Sequence, residues 1–224
     1  MTAIEREDGV AMLIAVMAVL LLTALGTALI LSSSSETIIA AHFRDNLEAR
    51  YAAGAMIERG LDDLLAAPDW NLLIGGLLRS SWVDGPPVGA RTLRNGLTID
   101  LMQIVSVANC QKSTACSPAD LAAVTADRPW GANNPQWKLY AYGPLRDMLA
   151  SGTMDSPYYV LLLVGNGPSA AVLALHAEAF GPRGAHAVVE ATLGRTGVSD
   201  GEKDYNDDLG KDTVKVLSWR EVRR

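Results

Sequence analysis

The sequence predicts an α+β protein: one long N-terminal helix, hydrophobic and then amphipathic, packed on a single mainly antiparallel sheet of four or five strands. Three observations predict it. Residues 10–31, VAMLIAVMAVLLLTALGTALIL, contain no charged side chain. From Ser32 to Ala67 the apolar residues recur at helical spacing instead of running continuously. Beyond Leu97 come short runs rich in β-branched and aromatic residues, punctuated by glycine and proline.

As a helix, the first run is roughly 33 Å long, the thickness of a bilayer's hydrocarbon core. A chain of 224 residues holds one ordinary domain plus such a segment, or at most two small domains. The run is too long for the core of a cleaved secretory signal, and the residues before it, MTAIERED, set only Arg6 against Glu5, Glu7 and Asp8. A plain signal-anchor fits the length, although so acidic a flank gives little help from the positive-inside rule. A third reading needs a glycine just before the run, and Gly9 stands there.

After the run, Ile38, Ile39, Phe43, Leu47, Tyr51, Met56, Leu61, Leu64 and Leu65 form an apolar stripe, with Arg44, Asp45, Glu48, Glu58, Asp62 and Asp63 between them. Small residues crowd YAAGAMIERG and permit close approach of another element. The serines Ser32 to Ser35 either break the helix or form a headgroup-level polar step on one that continues; we take the second, with Pro68 as the stop. The helix over 10–67 is then roughly 58 residues and about 87 Å long.

Residues 69–96 read as loop, with Gly75-Gly76, Pro86-Pro87 and Asn95-Gly96 as turn signals. LTIDLMQIVSV (97–107), WKLYAY (137–142) and PYYVLLLV (157–164) read as strands, with ADRPWGANNPQ (126–136) as a connector after the cysteine loop, and a loop or single helical turn over 143–156. Residues 171–180 and 187–193 flank GPRGAH as a β-hairpin, and VKVLSWREV closes the chain as a last short run.

Cys110 and Cys116 lie close together in NCQKSTAC. With the bulk of the chain outside the cytoplasm, a small disulfide loop is the reading taken; two buried free thiols are the alternative. Val164 to Ala170 spells GxGxxA after a strand, but Pro168 sits inside it and no βαβ repeat follows, so a turn between adjacent strands accounts for it better than a nucleotide site. Asp204, Asn206 and Asp208 are spaced like oxygen ligands of a calcium loop, yet without the glycine and distant glutamate of an EF-hand; a solvated acidic loop is the plainer reading.

His42, His176 and His186 are far apart in sequence and point to structural or surface roles, and the five tryptophans to core anchors or subunit contacts. No Ser/His/Asp grouping, GxSxG or HExxH is present. The net charge is −6 with scattered basic residues, so nothing resembles a nucleic-acid face. No enzyme, cofactor or metal centre is expected.

Gly9, the apolar span, the serine exit and RDNLEARYAA (Arg44 to Ala53) resemble the class III signal region of type IV pilins and pseudopilins, specifically PilX-type minor pilins. FGPRGAHAVVEATLGR and the final SWREV are similar to the same group. The resemblance implies that a prepilin peptidase cuts between Gly9 and Val10 and that the new terminus is methylated. It implies residues 1–9 as leader, 10–67 as the helix and 68–224 as a head outside the inner membrane. The partners would be other minor and major pilins, the peptidase and the inner-membrane assembly platform.

Most members carry Glu at the fifth mature position, where it pairs with a neighbour's terminal amine; here that residue is Ile14. This departure fits a minor, initiating or tip subunit better than a major one, and the acidic leader departs as well. The alternatives are a type II secretion minor pseudopilin and a single-pass envelope protein with a ligand-binding or enzymatic head.

Overall fold

A computed structural model describes residues 4–67, 69–127, 136–148, 155–169, 171–196 and 213–222. The chain divides into two units, Met1–Arg44 and Asp45–Arg224. The boundary falls inside a single helix, α1, which runs Ile4–Leu65. Ser32 to Ser35 do not interrupt it: the hydroxyl of Ser35 donates to the carbonyl of Leu31 (3.1 Å), within the helix's own turn. Thr37 does the same to Ser33 (2.9 Å).

The second unit carries a five-stranded antiparallel meander in the order β3-β4-β5-β6-β7, spanning Lys138–Pro144, Tyr159–Asn166, Val172–Phe180, His186–Thr196 and Thr213–Val222. With the long helix laid on it, the architecture is the α+β, pilin-like arrangement the sequence predicts. One face takes the end of α1. Ala49, Ala52, Ala53, Met56, Ile57 and Leu64 are buried against Val160, Leu162, Leu175, Ala177, Val189 and Leu193. The small residues let the helix axis come close, and Gly60 is where this matters most. A Cβ there would lie well inside van der Waals distance of Leu162 Cδ2.

Alternate residues of the same strands face a second core on the opposite side of the sheet, with Leu93, Ile99, Leu101 and Ala108. These come from a two-stranded hairpin, β1 (Ala90–Thr92) and β2 (Thr98–Asp100), and from helix α3 (Leu101–Cys110). The expected turn at Asn95-Gly96 is present, with Gly96 at φ +81° in the left-handed region that glycine tolerates.

The β3 edge of the sheet takes further backbone bonds. At β3, the N–H groups of Ser80 and Asp84 donate to the carbonyls of Tyr140 (3.1 Å) and Tyr142 (2.9 Å). A register shift between Leu139 and Ala141 leaves Tyr140 as an extra residue. That shift turns both Tyr140 and Ala141 toward the α1 side, while Leu139 and Tyr142 stay on the other. A second shift sits between Thr192 and Leu193 in the β6–β7 pairing.

Residues 97–107 correct the sequence reading. Only Thr98–Asp100 is strand, and Leu101–Cys110 is helix. The Asp100 side chain caps it by accepting from the Gln103 N–H (2.9 Å). Leu101, Ile104, Val105 and Ala108 then lie on one helical face toward the second core, so tertiary burial overrides the β tendency of Ile and Val.

Helix α4 (Pro118–Asp127) lies between the cysteine loop and the expected connector, of which it takes only Ala126 and Asp127. Its start is a reciprocal cap: Ser117 N–H donates to Asp120 Oδ2 (2.9 Å) and Asp120 N–H to Ser117 Oγ (3.2 Å). Shorter helical pieces include α2 (Trp70–Ile74) within the expected loop and α5 (Leu145–Met148), the single turn allowed for over 143–156.

Candidate functional site

The first candidate site is the exposed half of α1. From Val10 to Leu31 the large apolar side chains stand open to solvent, and the segment is long and apolar enough to cross a membrane. Its polar groups are suited to that. Thr23 donates to the carbonyls of Val19 and Leu20 (2.9 Å each), and Thr27 to those of Thr23 (3.0 Å) and Ala24 (2.9 Å). Each hydroxyl thus satisfies itself on its own helix, which an apolar medium requires.

Gly9 and Val10, the expected processing pair, lie in α1 and are exposed; a Cβ at Gly9 would meet nothing within 4 Å. Ile14, in place of the family's glutamate, is likewise exposed.

Cys110 and Cys116 are disulfide-bonded, with Cα atoms 6.0 Å apart. The bond ties the end of α3 to the segment leading into α4, and Cys110 is buried. Closing so short a loop restricts the unfolded chain modestly, so Cys116→Ser should cost about 2 kcal/mol of head stability. Denaturant unfolding of the reduced and oxidised protein measures it.

The GxGxxA segment begins in β4 with Gly165 and Asn166 and leaves it at Gly167, whose N–H donates to the Val172 carbonyl (2.9 Å) across an antiparallel pairing with β5; Ala170 lies outside the described residues. No helix opens there to receive a pyrophosphate. Asp204, Asn206 and Asp208 lie outside the described residues. Among the described residues, no group of three or more His, Cys, Asp or Glu is placed to hold a metal ion.

The second candidate is a buried chain of charges that sequence reasoning misses. The β5–β6 register sets His176 opposite Glu190 and Phe180 opposite His186, and Arg220 on β7 opposite Glu190. His176, fully buried, donates from Nε2 to Glu178 Oε1 (2.8 Å) and from Nδ1 to Glu190 Oε1 (2.9 Å). His186, stacked on Phe180 with ring centroids 4.6 Å apart, donates from Nε2 to Glu178 Oε2 (2.8 Å). Arg220 Nε donates to Glu190 Oε2 (2.9 Å).

The chain His186–Glu178–His176–Glu190–Arg220 therefore stitches three strands together. Both ring nitrogens of His176 face carboxylate oxygens, so the ring carries two protons and a positive charge. Burial opposes that charge, but the two glutamates outweigh it and raise the His176 pKa. Burial likewise works against an ionised Glu190, and is outweighed by His176 and Arg220, which hold it at about 2.

A readable signal existed. His176 and Glu178 stand two apart in a run read as strand, hence on one face. A hairpin closed at GPRGAH then brings Glu190 across to His176. Every carboxylate oxygen in this set of charges is bonded to a cation or imidazole N–H.

No family model, curated protein or solved structure matches this chain.

Proposed function

We propose that this chain is a structural subunit of a type IV filament, a PilX-type minor pilin or pseudopilin acting in initiation or at the tip, with no catalysis of its own. The observation that carries the reading is α1 itself. It is one helix whose first half is apolar and unburied and whose second half is amphipathic and packed on a sheet.

In this reading a prepilin peptidase removes residues 1–9, Val10 becomes the methylated N-terminus, and the head lies outside the inner membrane. The apolar half then passes from lipid to a core of like helices at the assembly platform. Both environments are apolar, so the transfer costs little hydrophobic free energy. Major and other minor pilins are the partners. Ile14 supports a subunit with no preceding terminal amine to neutralise.

Gly9→Val tests it. A Cβ at this exposed position meets nothing within 4 Å, so the substitution is expected to act on recognition rather than on the fold of the head. The expected result is a membrane-held precursor that keeps its leader, seen by intact mass, while the wild type begins at a methylated Val10. Normal processing of the variant, or an intact Met1 on the mature wild type, removes this reading and leaves a plain single-pass anchor.

A further inference from the structure

A cleft of about 160 Å³ opens where the turn after β1, helix α5 and the start of β4 meet, on the sheet face that carries the second core. Leu93 and Tyr159 give it apolar walls. Among the described residues, three arginines line it, Arg91, Arg94 and Arg146, against a single carboxylate, that of Asp84. The cleft therefore holds a surplus of positive charge in a chain whose net charge is −6. It lies wholly within the second unit, so it stands apart from any processing at Gly9.

The charged groups have different duties. Arg91 is the most enclosed, its side chain 16% exposed, and it is spent on the loop around it. Its Nε and Nη2 donate to the Asp84 carbonyl (3.2 and 2.9 Å), Nη2 also to that of Pro86, and Nη1 to that of Ala90 (3.3 Å). It contributes charge rather than free donors. Asp84 is engaged as well: its Oδ2 accepts from the Tyr159 hydroxyl (3.2 Å) and lies 3.6 Å from Arg91 Nε.

Arg94 and Arg146 are placed otherwise. Each gives one N–H, of the several a guanidinium carries, to a nearby aspartate: Arg94 to Asp155 (2.5 Å) and Arg146 to Asp147 (3.2 Å). Neither aspartate lines the cleft, and their side chains are 79% and 55% exposed. Ion pairs so open to water hold weakly and exchange readily. Ser156 accepts from the Tyr158 N–H (3.4 Å) and keeps its own hydroxyl proton to donate.

Donors are in surplus and the acceptor is used, so the matching ligand is an oxyanion. A carboxylate fills one guanidinium fork, whereas a doubly charged tetrahedral oxyanion can serve two guanidiniums brought in by separate elements. The volume admits roughly five non-hydrogen atoms, the size of phosphate.

We infer that the cleft between Arg94 and Arg146 binds a phosphate dianion, with Arg91 adding charge and Ser156 a hydroxyl proton. The phosphate arrives either as the free ion or as the monoester end of a larger molecule.

The test uses the full chain in detergent at pH 7, labelled with ¹⁵N-arginine and titrated with inorganic phosphate, glycerol 3-phosphate and acetate. Sodium chloride holds the ionic strength constant, so that general screening does not enter. The Arg94 and Arg146 Nε–H signals are assigned from their absence in Arg94→Gln and Arg146→Gln. Expected is a saturable shift of both signals with phosphate and little with acetate, the arginines outside the cleft staying unmoved. Glycerol 3-phosphate moving the same signals assigns the ester source; phosphate alone doing so assigns the free ion.

Arg94→Gln and Arg146→Gln should each weaken binding about tenfold, read on the arginine that remains. Asp155→Asn should tighten it about threefold, because it removes the carboxylate that competes for Arg94. An ion pair that serves only the fold would give no such gain. The inference is overturned by shifts that do not saturate or that acetate reproduces. Undiminished binding by both glutamine variants, or no tightening in Asp155→Asn with the other arginine signals in place, overturns it as well.

Discussion

His176→Leu is expected to destabilise the head by about 3–5 kcal/mol, the loss seen when one partner is removed from a buried charge network. The ring sits between Glu178 and Glu190 with no solvent access, and leucine fills its space without giving either carboxylate a proton. Glu178 is then left to His186 and Glu190 to Arg220. Arg220→Met should cost less, because its site is partly exposed and Glu190 keeps the imidazolium.

The pH dependence has a defined sign. His176 has its pKa raised above the usual 6.5, so its contribution is complete below about 6.5 and disappears as pH climbs through the folded value. Glu190 is lowered from 4.5 to about 2, so its contribution is complete above about 4.5 and is lost as pH falls toward 2. Stability from this cluster is therefore greatest between about 4.5 and 6.5, and the alkaline decline should be absent in His176→Leu. Thermal unfolding of the detergent-solubilised protein from pH 2 to 9, followed by near-ultraviolet circular dichroism, measures both; an unchanged alkaline limb in the variant rules out the charged ring.

The long helix, the later strands and the hairpin at GPRGAH were legible in the sequence because each is set by a local period: apolar continuity, the 3.6-residue stripe, or alternation. Leu101–Cys110 was not. Its Ile and Val favour a strand locally, and what decides for helix is the Asp100 cap together with a face that fits the second core. The α4 start was readable in Ser117-Pro118-Ala119-Asp120, since its cap lies within four residues.

The charge chain occupies a middle ground. Its members are individually unremarkable and up to 44 positions apart, from His176 to Arg220, and only strand register assembles them. Register is a tertiary property, fixed by which face each strand buries.

Leu162→Ala is expected to cost about 3–5 kcal/mol, the range for deleting a fully buried leucine whose surroundings cannot collapse. Leu162 is fully buried on β4, directly beneath Gly60 of α1, and the strand is held in register on both sides, so the sheet cannot move in to fill the gap. The same contact makes Gly60→Ala unfavourable in the wild type: the new methyl meets Leu162 Cδ2 and must displace it, costing about 1–3 kcal/mol, against which improved helix propensity returns about 1 kcal/mol.

In the Leu162→Ala background the sign reverses. There the Gly60→Ala methyl enters vacated space and the helix gain stands alone, so the second substitution stabilises. A double-mutant cycle by denaturant unfolding, read from tryptophan fluorescence, should give a coupling of about 1–3 kcal/mol between the two positions. Simple additivity would mean that α1 does not close on β4 at Gly60. The small residues of YAAGAMIERG would then serve helix–helix contacts rather than the fit of helix to sheet.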